Sequence, residues 1–149
     1  MTSIFKNIGI LGRAKSTGFK ETLIALTEHL ESISQNYFIE TKTAELLKNT
    51  NLKTTDRDNI GEKCDLIIVI GGDGSFLHAV HAIINQKIPV VGINRGSLGF
   101  LTDINPDSLI KITDILSGKY ILEKRFLLSA SIEYENKVTE KDKALNEVA

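Results

Sequence analysis

The chain has 149 residues, 42% hydrophobic and 25% charged, with a formal net charge of −1. That is enough for one domain of ordinary size with a real core, and it excludes a disordered or fibrous chain. The near-balanced charge, without a basic block, argues against a nucleic-acid partner. In chain order, Asn7–Gly12 reads as a short buried strand. Phe19, Leu23, Leu26, Leu30 and Ile33 follow at alternating helical spacings and share one face, with Ser16 or Thr17 available as the cap. Tyr37–Glu40 is a second strand, and the polar stretch from Asn49 to Lys63 reads as a loop with at most a helical turn. Asp65–Ile70 is apolar and β-branched, as a strand covered on both faces should be. Phe76, Leu77, Val80, Ile83 and Ile84 restore a helical period, and Pro89–Asn94 is another buried strand. Asn105-Pro106-Asp107 is a helix start, Leu109, Ile112 and Leu116 its inner face, and Gly118 its end.

Strands alternating with helices predict an α/β fold: a mainly parallel, doubly wound sheet with helices on both faces. After Gly118 the pattern changes. Arg125–Glu135 partly alternates, Asn136-Lys137 suits a turn, and Lys143–Ala149 reads as the opening of another strand. We therefore expect an α/β nucleotide-binding domain over residues 1–120 and, over 121–149, the beginning of an antiparallel β domain that is cut short. The lone cysteine, Cys64, permits no internal disulfide. The N-terminus is too interrupted for a signal peptide. The longest apolar run, Leu66 to Ile70, falls far short of the roughly 20 residues of a membrane span. The expected location is the cytoplasm, with no membrane partner.

The segment that carries chemistry is Ile70-Gly71-Gly72-Asp73-Gly74-Ser75-Phe76-Leu77, where a buried strand runs through glycines into a helix. Glycines let a ligand approach the backbone, and the unpaired amides of a helix start favour an anion, so a phosphate is the natural guest. The segment is neither a Walker A loop nor a dinucleotide fingerprint. An empty tight turn remains the plain alternative. Asp73 has three roles open to it: holding Mg²⁺, accepting a hydroxyl proton, or capping the helix. His78 lies one helical turn after Gly74 and can point back to the loop, whereas His81 is given no role. Without neighbouring carboxylates or thiolates the two histidines make a poor metal site, and no residue is named as a metal ligand. Phe100 and Leu101 are expected in the core. Arg95 can serve the phosphates or the structure, and Gly96 and Gly99 shape a turn.

Gly71-Gly72-Asp73-Gly74-Ser75 resembles the Gly-Gly-Asp-Gly-Thr signature of NAD kinases, of diacylglycerol and sphingosine kinases and, more remotely, of phosphofructokinases. Gly92-Ile93-Asn94-Arg95-Gly96-Ser97-Leu98-Gly99-Phe100-Leu101 looks like the corresponding block of NAD kinases rather than that of lipid kinases, and Lys124–Leu128 and Ala144–Glu147 also match. Four motifs in order cover essentially the whole chain. The resemblance implies transfer of the γ-phosphoryl of ATP to the adenosine 2′-hydroxyl of NAD, with a divalent cation, Mg²⁺. It implies that Gly71, Gly72 and Gly74 face phosphates, that Asp73 takes the hydroxyl proton, and that Asn146 and Glu147 bind the adenosine end of NAD. His78 stands where related enzymes often carry a basic residue. Neighbours on a regular strand point to opposite faces, so Asn146 and Glu147 reach one ligand only if the strand ends or bends there.

Members of that family are typically longer, with a β-rich second half that completes the NAD site and much of the subunit interface. The chain is therefore expected to be a fragment, inactive alone and homo-oligomeric when full length, with small-molecule nucleotides as its partners. Two other readings stay open: a kinase for a lipid or sugar phosphate, and a non-catalytic nucleotide-binding module.

Overall fold

Strand β4 (Leu66–Gly71) is buried along its whole length, and the fold is built outward from it. The computed structural model describes residues 3–13, 17–47, 51–96, 99–134 and 137–145. β4 lies between β1 (Asn7–Gly12) and β5 (Val90–Asn94). Beyond β1 come β2 (Asn36–Glu40) and β3 (Thr54–Thr55), so the five-stranded sheet runs β3-β2-β1-β4-β5, with every pairing parallel. The chain thus winds outward from β1 to β3, then returns to start β4 on the other side of β1. Strand order reverses between β1 and β4, where open α/β sheets leave a crevice at the carboxyl ends of their strands.

Alternation along β4 assigns the two faces. Leu66, Ile68 and Ile70 join Ile8, Ile10 and Ile39 in one core, covered by α1 (Phe19–Ser32) and α5 (Ile110–Leu116). Ile67 and Val69 join Leu11 in the other, covered by α3 (Ile60–Lys63) and α4 (Asp73–Ala82), while the short α2 (Thr41–Ala44) directly follows β2. The expected doubly wound architecture is what the chain adopts. Phe19, Leu23, Leu26 and Leu30 of α1 are all buried, each worth about 1.5–3 kcal/mol of transfer free energy. On α4 the inner face is Phe76 and Ala79, continued by Ile83.

Several local readings need correction. The residue that caps α1 is Gly18 at φ 73°, with no side-chain cap, and not Thr17; Ser16 lies outside the described residues. The Arg95 guanidinium packs against Gly18, where a Cβ would stand 2.6 Å from Nη1. Asn105 accepts from the Asp107 amide at 2.9 Å, but that closes a turn, and α5 starts only at Ile110. The polar stretch before β4 contains β3 and α3, anchored by the fully buried Ile60. The end of α5 is as expected. Gly118, at φ 90°, donates to the Ile115 carbonyl and Lys119 to that of Asp114, the paired bonds of a Schellman cap.

Beyond Tyr120, whose ring lies 6.0 Å from that of Phe5, an extended segment leads to β6 (Leu127–Tyr134) and β7 (Lys137–Leu145). These form a separate two-stranded antiparallel sheet. Its second strand therefore begins at Lys137, earlier than the Lys143 read from sequence. Leu145 packs against the α4 side of the core. Among the described residues no helix is long and apolar enough to cross a membrane.

Candidate active site

β4 ends in a turn that only glycine suits. Gly71 has φ 153°, and a Cβ there would stand 2.5 Å from the Ser75 hydroxyl. Its carbonyl accepts the Arg95 amide at 3.1 Å, tying the turn to the exit of β5. Gly72 caps α4, and nothing lies within 4 Å of where a Cβ would stand on Gly72 or Gly74. The first turn of α4 is therefore approachable at backbone level. Its N-terminal end of the helix dipole favours negative charge.

Asp73 opens α4 but does not cap it. Its Oδ2 accepts the Phe100 amide at 2.8 Å, its Oδ1 the Leu101 amide at 3.0 Å, and Oδ1 also the Thr102 hydroxyl at 3.3 Å. The Phe100 amide chiefly holds the carboxyl below the usual carboxylate range; burial opposes this, and Leu101 and Thr102 add to it. The segment that Asp73 grips is brought back by its own pairing: Asn94 donates to the Ile104 carbonyl at 2.8 Å and Ile104 to that of Gly92 at 3.2 Å. A carboxylate has about four acceptor sites. With the Thr102 amide as a further partner, the chain itself supplies a donor for each of them.

At the strand-order reversal lies a cavity of about 500 Å³, lined by Gly12, Arg13, Glu40, Lys42, Thr43, Arg57, Gly74, Ser75 and His78, with Leu11 and Ala79 beneath. Gly74 and His78, both named from sequence, meet there. Gly71, Gly72 and Asp73 form the adjoining turn and are not among the lining residues. Asn146 and Glu147 lie outside the described residues. Within the cavity wall, the buried Glu40 accepts from Arg57 Nε at 2.9 Å and from the Thr43 hydroxyl at 2.5 Å.

Sequence pattern missed Arg13, Glu40, Lys42 and Arg57. The signal for the first three is positional: they stand at or just beyond the carboxyl ends of β1 and β2, which matter only once the strand order is known. Phe100 is another correction. It is 95% exposed rather than in the core, and its amide donates to Asp73 Oδ2. Arg95 bonds Thr22 of α1 through Nε and serves the architecture. His81 is exposed. Among the described residues no three His, Cys, Asp or Glu side chains gather as a metal cage.

Comparison with known proteins adds to this geometry. The family model described as the ATP-NAD kinase N-terminal domain matches residues 9–120. A protein of Ectopseudomonas mendocina named NAD kinase is 46% identical over 145 residues, 97% of this chain and 49% of its own length. Another of that name from Acinetobacter baylyi is 43% identical over 145 residues, 97% of this chain and 47% of its own. The chain thus spans about half the length of the relatives it matches. The crystal structure of yeast NADH kinase complexed with NADH superposes with a TM-score of 0.76, covering 94% of this chain and 46% of that one. At 21% identity that likeness concerns the fold.

Proposed function

The chain belongs to the ATP-NAD kinase N-terminal domain family, and from that premise we propose that the whole protein is an NAD kinase. It transfers the γ-phosphoryl of ATP to the adenosine 2′-hydroxyl of NAD, giving NADP. The observation that carries this reading is the match over residues 9–120, centred on a glycine turn whose helix start is open to a phosphate. In the proposal, the backbone of Gly71, Gly72 and Gly74 faces the phosphates, and His78 lends a nitrogen from the next turn. Asp73 takes the acceptor hydroxyl in place of one of its present partners. Asn146 and Glu147 hold the adenosine.

Phosphoryl transfer passes through a loose transition state, so positioning and charge neutralisation do most of the catalysis. Asp73, with its carboxyl held below the ordinary range, is a weak base. Its contribution is to hold the hydroxyl in line, with the proton leaving late. With no protein cage among the described residues, a divalent cation fits best as a passenger on the donor's phosphates, the usual manner of Mg²⁺. Residues 1–120 are read as the nucleotide-binding domain and 121–149 as the beginning of a β-rich one. Cytoplasmic location and homo-oligomeric assembly belong to the same proposal.

The test is incubation of the whole protein with MgATP and, in turn, NAD, a diacylglycerol and fructose 6-phosphate. NADP is the expected product; phosphorylation of the lipid or sugar alone overturns the reading. The 149 residues by themselves are expected to form little NADP.

A further inference from the structure

We propose that Thr102 is a positioning residue: its hydroxyl holds the Asp73 carboxylate in place while an outer partner of that carboxylate gives way to the acceptor hydroxyl. This rests on the kinase reading for what the carboxylate does, and on geometry alone for how it is held. Asp73 is engaged by its own chain, so a hydroxyl arriving from solvent has to replace a donor. The donors are not equivalent. Phe100 is 95% exposed and Leu101 half-buried, whereas Thr102 is 0% exposed. An incoming group meets the amides of Phe100 and Leu101 and does not reach Thr102. The bond from Thr102 Oγ1 to Asp73 Oδ1, at 3.3 Å, is therefore one that survives the exchange.

Thr102 is itself fixed from β5. A Cβ on Gly92 would stand 2.9 Å from Thr102 Cα and nearer still to its methyl, so the methyl occupies space that a side chain at residue 92 would take. A β-branched side chain has few choices at χ1. With the methyl seated on Gly92, the hydroxyl is aimed at Asp73. Two residues on, Ile104 pairs with β5, donating to the Gly92 carbonyl at 3.2 Å and accepting from Asn94 at 2.8 Å. The line from Gly92 through Thr102 to Asp73 thus ties the first residue of α4 to the neighbouring strand of the sheet. The χ2 torsion of an aspartate is soft, so amides on an exposed segment do not hold the carboxylate plane once one of them is displaced. The buried hydroxyl in turn needs an acceptor, and finds it in that carboxylate.

The test compares Thr102→Val, which keeps the shape and loses the hydroxyl, with Thr102→Ser, which keeps the hydroxyl and loses the methyl. In the whole protein with MgATP and NAD, Thr102→Val should lower kcat about tenfold, the low end for a hydrogen bond to a charged group. KM for either substrate should stay within about twofold, because the hydroxyl acts on Asp73 and touches neither substrate. Thr102→Ser should keep most of kcat. Thr27→Val removes another buried hydroxyl, one bonded to the Ile24 carbonyl on α1, and should leave kcat unchanged. A packing role alone gives the reverse order, with Ser harmed and Val spared, and that order overturns the proposal. So does wild-type kcat in Thr102→Val.

A second measurement does not use activity. In urea melts of the whole protein at pH 7, Thr102→Val should lower the folding constant about tenfold in the wild-type background and by much less in an Asp73→Ala background. Should Asp73→Ala fail to fold, Asp73→Asn serves, with a smaller coupling of the same sign because the acceptor is then uncharged. An equal cost in both backgrounds shows that the hydroxyl does not act on the carboxylate, and overturns the proposal. The two readings fail separately. NADP formation that ignores Thr102→Val sinks the role of Thr102 and leaves the kinase. Coupling of Thr102 to Asp73, in a protein that phosphorylates no NAD, sinks the kinase and leaves the hold on the carboxylate.

Discussion

Gly99 lies against the carboxyl group of Asp73: a Cβ on Gly99 would stand 2.7 Å from Asp73 Cγ and nearer still to Oδ1. The carboxylate sits where it does because residue 99 has no side chain, and in return it fastens the next three residues to the start of α4. Gly99→Ala is expected to push the carboxylate off the amides of Phe100 and Leu101. A displacement of about 1 Å at a reacting group costs on the order of 100-fold in rate. Measured on the whole protein, kcat/KM for NAD phosphorylation should fall by that order. Unchanged kinetics would show that the fastening is idle.

Asp73→Asn probes the same group through its charge. The folded state lowers the Asp73 pKa below its ordinary 3.8, so between the two values the unfolded chain binds more protons than the folded one. The carboxylate therefore contributes stability that is full above about 3.8 and is lost as pH falls through the lower, folded value. Asn has no such dependence. The wild-type advantage in urea melts should be present at pH 7 and shrink as pH drops below 3.8, closing from the wild-type side. A gap constant from pH 7 to pH 2 contradicts this. Turnover of the whole protein should be abolished while the fold persists; near-normal turnover removes Asp73 from the chemistry.

These two residues also mark where sequence reading stops. β1, β4 and β5 were legible because their apolar, β-branched runs can only be covered strands, and α1 because its stripe repeats through Leu30. β3 was not legible: Thr54 and Thr55 carry no apolar signal and are held by backbone pairing to Ile39 and Glu40. The glycine turn announced an anion site locally. The partners of Asp73, however, lie 27 to 29 residues away, beyond the reach of any periodicity. The apolar ring of Phe100 suggests the interior, yet it is exposed on a segment whose backbone is bound to Asp73. Arg13 and Lys42 look like ordinary solvated charges until the order of the strands puts them at one crevice.

Cys64 should be inert in the native protein. It is buried at 6% exposure. Burial chiefly pushes its thiol up to about 12, the Asp65 charge adds, and Lys63 partly offsets. The reactive thiolate is then scarce at pH 8 and sterically covered. Labelling with a thiol reagent along a urea series should be negligible in native buffer and rise with global unfolding. Rapid labelling without denaturant would mean that the α3 side of the sheet opens locally.

The buried end of the cavity gives a prediction independent of activity. Glu40 is 4% exposed at its side chain, and Arg57, 26% exposed, is its cationic partner. Burying two charges is costly, and their attraction roughly balances that cost, so the pair as a whole adds little to stability. Removing one member is different, because the other is left charged and desolvated. Arg57→Met should cost about 3 kcal/mol, the low end for a broken buried pair because the guanidinium keeps some contact with water. Glu40→Gln in that background removes the stranded charge and retains an acceptor for the Thr43 hydroxyl, so it should recover most of the loss. Urea melts of the two single variants and the double one measure the coupling directly. If the double variant is as unstable as the sum of the singles, Glu40 and Arg57 do not act as a pair.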